Sequence, residues 1–418
     1  MTALYGNNLK EDFLIFTLDG AGDGVCATVS KLEDGKLTRL AETPNRDSLG
    51  ILWRYVTEEM GMRPVEHEYK IMGLAPYAHP EGIEKTYNVM KKLIRVDKLK
   101  FFSIMDKRAY KYFIRNNLRY HRFDNIAGAI QKLTEELLCE WIRNGINETG
   151  IHNIALAGGV FLNVKANMEI MYMPEVEKIF IFPSCSDEST AIGACYYGHH
   201  ILFEYKLIKP IENIYFGPEF SKDEIIASIP KKYNYEEVDN IEKRVAELLA
   251  EGKIVARLDG RMEFGARALG NRSILANPSD ANIVKILNEQ IKNRDFWMPF
   301  APTILFEREH EYIINPKNIE APYMILAFKT VEKAKKELIA ALHPADFTCR
   351  PQILKEDFNP KYYKILKEFE KLTGIGGVLN TSFNLHGEPI VCSPTDAIHT
   401  FENSKLQFLV MGNVLIYK

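Results

Sequence analysis

Apolar residues along this chain change their spacing several times, and each change marks an element. Phe13-Leu14-Ile15-Phe16-Thr17-Leu18 is an apolar run of strand length, followed by Asp19-Gly20-Ala21-Gly22-Asp23-Gly24 and a second β-prone run, Val25 to Val29. Two strands joined by a glycine-rich turn are predicted there, because glycine supplies the positive φ that a tight turn needs. Helical spacing takes over at about 47–60, 81–95 and 125–149. In the last of these Ile126, Ile130, Leu133, Leu137, Trp141 and Ile142 form one apolar stripe, and Gly150 ends it. Ile154 to Ala157 and Ile179 to Phe182 read as short buried strands. The first runs into Gly158-Gly159; the second into Pro183-Ser184, after which Ser186 or Asp187 is expected to cap a small-residue helix through Tyr197.

The pattern lapses over 206–222, where Lys206-Leu207-Ile208-Lys209-Pro210 and Gly217-Pro218 interrupt it, and a domain boundary is expected there. Beyond it, helices at about 241–251, 279–291, 331–342, 361–372 and 394–401 alternate with strands at about 253–258, 302–306, 323–328, 376–380 and 412–417. Such alternation predicts a second α/β domain. The expected organisation is a first domain over 1–205, a linker over 206–222 and a second domain over 223–418.

Composition narrows the function classes. With 53 Lys+Arg against 56 Asp+Glu the net charge is -3, which disfavours nucleic acid or an anionic membrane as the main partner. The apolar runs fall well short of the ~18 residues a membrane span requires. The opening Met1-Thr2-Ala3-Leu4-Tyr5-Gly6 lacks the basic and apolar regions of a secretory signal, so a cytoplasmic location is expected. Six scattered cysteines without a CxxC pair point to buried free thiols, not to disulfides or a zinc site.

Several runs carry candidate chemistry. Asp19 ends a strand and enters a glycine turn; it faces a metal or phosphate, or the turn is an ordinary hairpin. A calcium loop is excluded, since Ala21 and Ser30 stand where ligands are required. Gly158 and Gly159 follow a buried strand and precede Asn163, an arrangement that lets backbone approach phosphate oxygens, or simply a tight strand–helix turn. Asp187 is either a helix cap or a metal ligand. In Gly265-Ala266-Arg267-Ala268-Leu269-Gly270-Asn271-Arg272-Ser273-Ile274 two arginines sit among small residues, which suits bidentate contact with phosphate or carboxylate. Downstream, Lys292, Arg294 and Arg350, with Asn380 and Ser382, supply the cations and neutral donors that a triphosphate and a second anion need.

Together with Glu66-His67-Glu68-Tyr69-Lys70-Ile71-Met72-Gly73-Leu74-Ala75-Pro76-Tyr77, these runs resemble the NodU/CmcH carbamoyltransferase family over nearly the whole chain. The resemblance implies an α/β protein: a partial ASKHA (actin-like ATPase) domain followed by a YrdC-like α/β domain. It implies that the second domain makes carbamoyl adenylate from carbamoyl phosphate and ATP, and that the carbamoyl group then passes to the hydroxyl of a small-molecule acceptor at the first. Asp19 and Asp187 match the family's two metal-binding aspartates, and Gly158, Gly159 and Asn163 its nucleotide loop. Lys292, Arg294, Arg350, Asn380 and Ser382 match the adenylate site, with Arg267 and Arg272 in the family's signature run.

Ala266 and Met298 depart from the family's proline and arginine. The family's His-His-x-x-His-Ala motif has no counterpart, the first histidine being His67. The resemblance therefore implies a missing first lobe, a truncated or split chain, or a separate polypeptide that completes it. The family's metal is iron; two carboxylates alone suit magnesium or manganese. Two further readings remain: a partner-dependent nucleotide-binding subunit without full transfer, and threonylcarbamoyl-type tRNA chemistry, which the acidic balance disfavours.

Overall fold

The computed structural model describes residues 1–6, 11–203 and 209–418, apart from the side chains at 107 and 108. The start of the expected linker, 206–208, lies outside the described residues. Two compact units emerge: Met1–Glu212 with Pro316–Ile319, and Asn213–Asn315 with Glu320–Lys418.

The first unit is built on a five-stranded sheet. Strands β1 (Phe13–Leu18), β2 (Val25–Glu33) and β3 (Lys36–Pro44) form an antiparallel meander. A separate hairpin pairs β4 (Ile94–Asp97) with β5 (Lys100–Ser103). Strands β6 (Asn153–Ala157) and β7 (Lys178–Ile181) then add in parallel beside β1, giving the order β3-β2-β1-β6-β7. As the central strand, β1 is almost entirely buried, which is why it reads as an unbroken apolar run. The long helix Phe123–Thr149 presses on it: a Cβ at Gly145 would stand 2.8 Å from Cζ of Phe16. Trp141 of that helix packs edge-on against Phe16 at 4.9 Å, and Gly150 stops the helix with φ +72°. The expected helix 81–95 is shorter, Pro80–Met90, because its tail turns into β4.

The second unit holds an eight-stranded mixed sheet. Its strands are β8 (Asn234–Glu237), β9 (Val255–Leu258), β10 (Arg272–Ala276), β11 (Ala301–Leu305), β12 (Gln352–Leu354), β13 (Gly377–Ser382), β14 (Phe408–Met411) and β15 (Val414–Tyr417). They lie in the order β12-β11-β13-β10-β9-β14-β15-β8. Its core gathers Ile274, Leu287, Phe300, Leu379, Phe383, Phe401 and Met411.

Three expectations need correction here. Residues 323–328 form no strand: Met324 adopts φ +54°, which breaks the extended backbone, and Phe328 makes only an isolated bridge to Cys349. The helix expected at 331–342 divides into Glu332–Glu337 and a 3-10 turn, Ile339–Ala341. The helix expected at 279–291 is Asn282–Leu287, prolonged by a wide π-helical turn, Asn288–Lys292, and closed by Asn293 at φ +41°. All six cysteines are free, as expected, but Cys195 is exposed and only Cys26, Cys185 and Cys349 are fully buried. Among the described residues no helix is long and apolar enough to cross a membrane.

Candidate functional site

In the first unit the glycine turns converge on Asp19. Gly158 follows β6 with φ +109°, and a Cβ there would meet the Leu18 carbonyl oxygen at 2.4 Å, so no other residue fits. That close approach brings the Gly159 N–H to Asp19, whose Oδ1 accepts it at 2.5 Å. Ser48 caps the helix Leu49–Glu59 and donates its hydroxyl to the Asp19 carbonyl at 3.1 Å. Burial raises the pKa of Asp19, the Gly159 N–H opposes this, and the nearby charge of Asp187 raises it further. Asp187 opens a 3-10 turn, Asp187–Ser189, but neither it nor Ser186 caps that turn through its side chain. The expected cap is thus absent, and the exposed Asp187 carboxylate faces Asp19.

Asn163 has a different task from the one expected. Its Oδ1 caps the helix Val164–Tyr172 at the Ala166 N–H, 3.0 Å away, and its amide exchanges hydrogen bonds with Gln131 at 3.0 and 2.8 Å. It shapes the loop and has little left for a nucleotide. Among the described residues, no third His, Cys, Asp or Glu joins Asp19 and Asp187 in a group able to hold a metal ion. Two carboxylates, one already accepting a backbone N–H, are too few donors for a resident iron.

The second unit collects positive charge. The π-helical turn carries Lys292 inward until it is 1% exposed. Its Nζ donates to the Ser382 carbonyl, to Ser382 Oγ at 3.2 Å, to the Asn384 carbonyl at 3.0 Å and to Asn384 Oδ1 at 2.6 Å. All four acceptors are neutral. Burial, and then the charge of Arg294, push the Lys292 pKa well below the usual lysine range. Arg350, half-buried, donates to the Met324 carbonyl at 2.9 Å. Burial is also the main pressure on its charge, followed by Arg267 and Arg294. Since arginine stays protonated in proteins, that pressure is an unfavourable charge that a bound anion would relieve. Arg294 also lies over the Phe300 ring, 5.4 Å from its centroid.

Arg272 does not join this cluster. It is 0% exposed, and its guanidinium donates to the carbonyls of Pro218, Asp259, Gly260, Asn271 and Cys392 at 3.0–3.4 Å. It clamps chain segments together and has no reach to a ligand. The loop before it is shaped by Glu263, whose Oε1 accepts the N–H groups of Leu269 at 2.7 Å, Asn271 at 2.8 Å and Arg272 at 3.2 Å. Asn380 is 2% exposed; its Nδ2 donates to the Ala268 carbonyl and to Thr303 Oγ1, both at 3.1 Å. Sequence reasoning missed Glu263, which carried no signal, and it gave no separate role to Asn384, which stands at the end of the Asn380-to-Asn384 run, in the bend just after β13.

The structure thus brings Asp19, Asp187, Gly158 and Gly159 together in one unit, and Lys292, Arg294, Arg350, Arg267 and Ser382 in the other. Comparison with known proteins bears on both. The family model for the carbamoyltransferase N-terminus matches residues 8–196, and that for the carbamoyltransferase C-terminus matches 246–418. An uncharacterized protein of Methanocaldococcus jannaschii, MJ1051, is 35% identical over 98% of this chain and 80% of its own length. Nodulation protein NolNO of Sinorhizobium fredii is 30% identical over 98% of this chain and 61% of its own. A crystal structure of full-length HypF in a phosphate- and nucleotide-bound form covers 44% of this chain and 22% of its own, at 19% identity and a TM-score of 0.31, too slight a likeness to bear on the fold. With both halves of the chain matched in order and a relative aligned almost end to end, the chain belongs to the carbamoyltransferase family.

Proposed function

We propose that the second unit makes carbamoyl adenylate from carbamoyl phosphate and ATP, and that the first receives the carbamoyl group for transfer to an acceptor hydroxyl. The observation that carries this reading is Lys292: a fully buried ammonium with only neutral oxygens as partners, beside Arg294. A buried cation in that setting is costly unless an anion completes the site. Carbamoyl phosphate and ATP are both polyanions, and fixed cations hold them in line without reorganising during the reaction.

The atoms balance with water as a third reactant. Water splits the P–O bond of carbamoyl phosphate and orthophosphate leaves; the carbamate oxygen then attacks the α-phosphorus of ATP, and pyrophosphate departs. Lys292, Arg294 and Arg350 are assigned to the phosphates, and Ser382 and Asn384 hold the Lys292 ammonium. Arg267 adds charge from the glycine loop. Arg272 is assigned no contact with substrate.

The strand order β3-β2-β1-β6-β7, an antiparallel meander continued by parallel strands, supports an ASKHA-type reading of the first unit. The mixed sheet of the second, with its buried lysine on a helical turn and its serine on β13, supports a YrdC-like one. Asp19 and Asp187 are oxygen donors that suit a magnesium-bound nucleotide better than iron. Because two carboxylates are too few for a resident transition metal, a second reading is that this chain forms the adenylate and depends on a partner for transfer. Mixing the purified protein with ATP, carbamoyl phosphate and candidate sugars tests both. Pyrophosphate release that requires both substrates is expected, and its absence from folded protein defeats the proposal. Carbamoylated product without any partner defeats the second reading alone.

A further inference from the structure

We propose that the segment 213–218, at the start of the second unit, is a working part of that unit's site. Tyr215 is its positioning residue: it holds the run 265–274, and with it Arg267, in place for adenylate formation. This deepens the functional reading above and rests on it.

The stretch 206–222 reads as a linker, and it holds none of the residues on which the family resemblance rests. From 213 onward it belongs to the second unit, and its backbone is laddered to the chain that leads into the signature run. The Phe264 N–H donates to the Ile214 carbonyl at 2.7 Å, and the Gly217 N–H to the Met262 carbonyl at 2.9 Å. The Pro218 carbonyl accepts the Met262 N–H at 3.1 Å and the Arg272 guanidinium at 3.1 Å. The approach is close enough to demand glycine, since a Cβ at Gly217 would stand 2.6 Å from Cβ of Met262. A connector that served only to span two units could leave these groups to water.

Within this ladder Tyr215 reaches furthest. Its ring lies against Phe358, with centroids 5.5 Å apart, and its hydroxyl donates to the Leu269 carbonyl at 2.8 Å while accepting from Asn359 Nδ2 at 3.2 Å. The Leu269 backbone is thereby held on both sides. Its N–H goes to Glu263 Oε1 at 2.7 Å, and its carbonyl is shared between Tyr215 and Nε2 of Gln352 at 3.1 Å. Gln352 belongs to β12, so the run is pinned between the sheet and the segment 213–218. Leu269 stands two residues after Arg267, and fixing its backbone limits where the Arg267 guanidinium can be delivered. Phenylalanine would pack as the tyrosine ring does; the hydroxyl is the part spent on the run.

The expected consequence is for rate and not for affinity. Phosphates still find a cation carried on a loosened loop, but cations stabilise developing charge best when they are fixed beforehand. In-line attack is also sensitive to small displacements of the groups that hold it.

The test measures initial rates of pyrophosphate release by the full chain, varying ATP and carbamoyl phosphate in turn. Tyr215→Phe is expected to lower kcat about fivefold, the worth of one neutral hydrogen bond, with both KM values within about twofold of wild type. Tyr312→Phe is the matched control. It removes a buried hydroxyl of the same unit, one that bonds Glu337 and the Gly376 N–H, and should keep kcat within about twofold. Gly217→Ala lifts the segment off Met262 without altering Tyr215 or Leu269, and should lower kcat in the same way. Wild-type kcat in Tyr215→Phe overturns the inference, as does an equal loss in Tyr312→Phe. A raised KM at unchanged kcat also overturns it. Should Tyr215→Phe not fold, wild-type kcat in Gly217→Ala overturns it instead. In each of these cases the functional reading stands; absence of pyrophosphate release from wild type defeats that reading, and this one with it.

Discussion

The site of the first unit and the site of the second gather charge of opposite sign, and by different means. Around Asp19 the work is done by backbone: a glycine at φ +109° against Leu18, a Gly159 N–H and a capped helix start, with two carboxylates brought near each other. Around Lys292 it is done by side chains carried on separate elements: a π-helical turn, the end of β13 and the segment holding Arg350. At Lys292 the four acceptors are neutral oxygens, and at Asp19 the neighbouring charge is a second carboxylate. The difference teaches where each ligand's charge must lie. A carboxylate pair calls for a cation or a donor; a buried ammonium among neutral oxygens calls for an anion.

The largest effects come from the glycines that let each loop close. Gly270, at φ +111°, would place a Cβ 2.3 Å from Cδ1 of the buried Tyr362, and Gly158 one at 2.4 Å from the Leu18 carbonyl oxygen. Gly270→Ala and Gly158→Ala should each destabilise by about 2–5 kcal/mol, from a left-handed φ and overpacking together. The two should part in function. Thermal melts scored beside carbamoyl-phosphate-dependent pyrophosphate release should show Gly270→Ala losing that step and Gly158→Ala keeping it per folded molecule. Equal losses would erase the division of labour between the units.

A smaller effect isolates the cations. Arg350→Ala should lower pyrophosphate release by at least about tenfold, the worth of one charge-assisted hydrogen bond. Its far-ultraviolet circular dichroism should match wild type, since the side chain's recorded bond is a single one to a carbonyl. Full activity would remove Arg350 from the site.

The smallest concerns Asp19. Its pKa is raised by burial and by Asp187, so its contribution to stability is present below the unfolded value of about 3.9 and is lost as pH rises through the folded one. Asp19→Asn keeps an oxygen for the Gly159 N–H and drops the charge. The variant should therefore melt slightly higher than wild type at pH 7, the difference closing as pH falls toward the unfolded value. A variant that melts lower at pH 7 would mean that the carboxylate is there to hold the loop.

How much of this was legible in the sequence depended on whether a signal was local. The helix Phe123–Thr149 and the strand Phe13–Leu18 were readable because burial on one stripe, or on both faces, leaves a period. The strand β10 was not, because Arg272 and Ser273 at its start look polar, though both are fully buried. Arg267 and Arg272 looked alike, and only the fold separates an arginine beside other cations from one spent on five carbonyls. The apolar run at 323–328 is buried, yet one residue at positive φ keeps it from being a strand. Asn163 looked like a ligand because a helix cap and a nucleotide contact favour the same residue at the same place.

The central claim is that Lys292 is held for an anion and not for the fold, and one titration tests it most directly. Carbamoyl phosphate binding is measured by calorimetry on wild type and on Lys292→Met, which keeps the volume and removes the charge. The account predicts at least about a hundredfold loss of affinity, with the unliganded variant melting no lower than wild type, because a buried ammonium without a counter-charge does not stabilise the free protein. Unchanged affinity together with a lower melting temperature would contradict it.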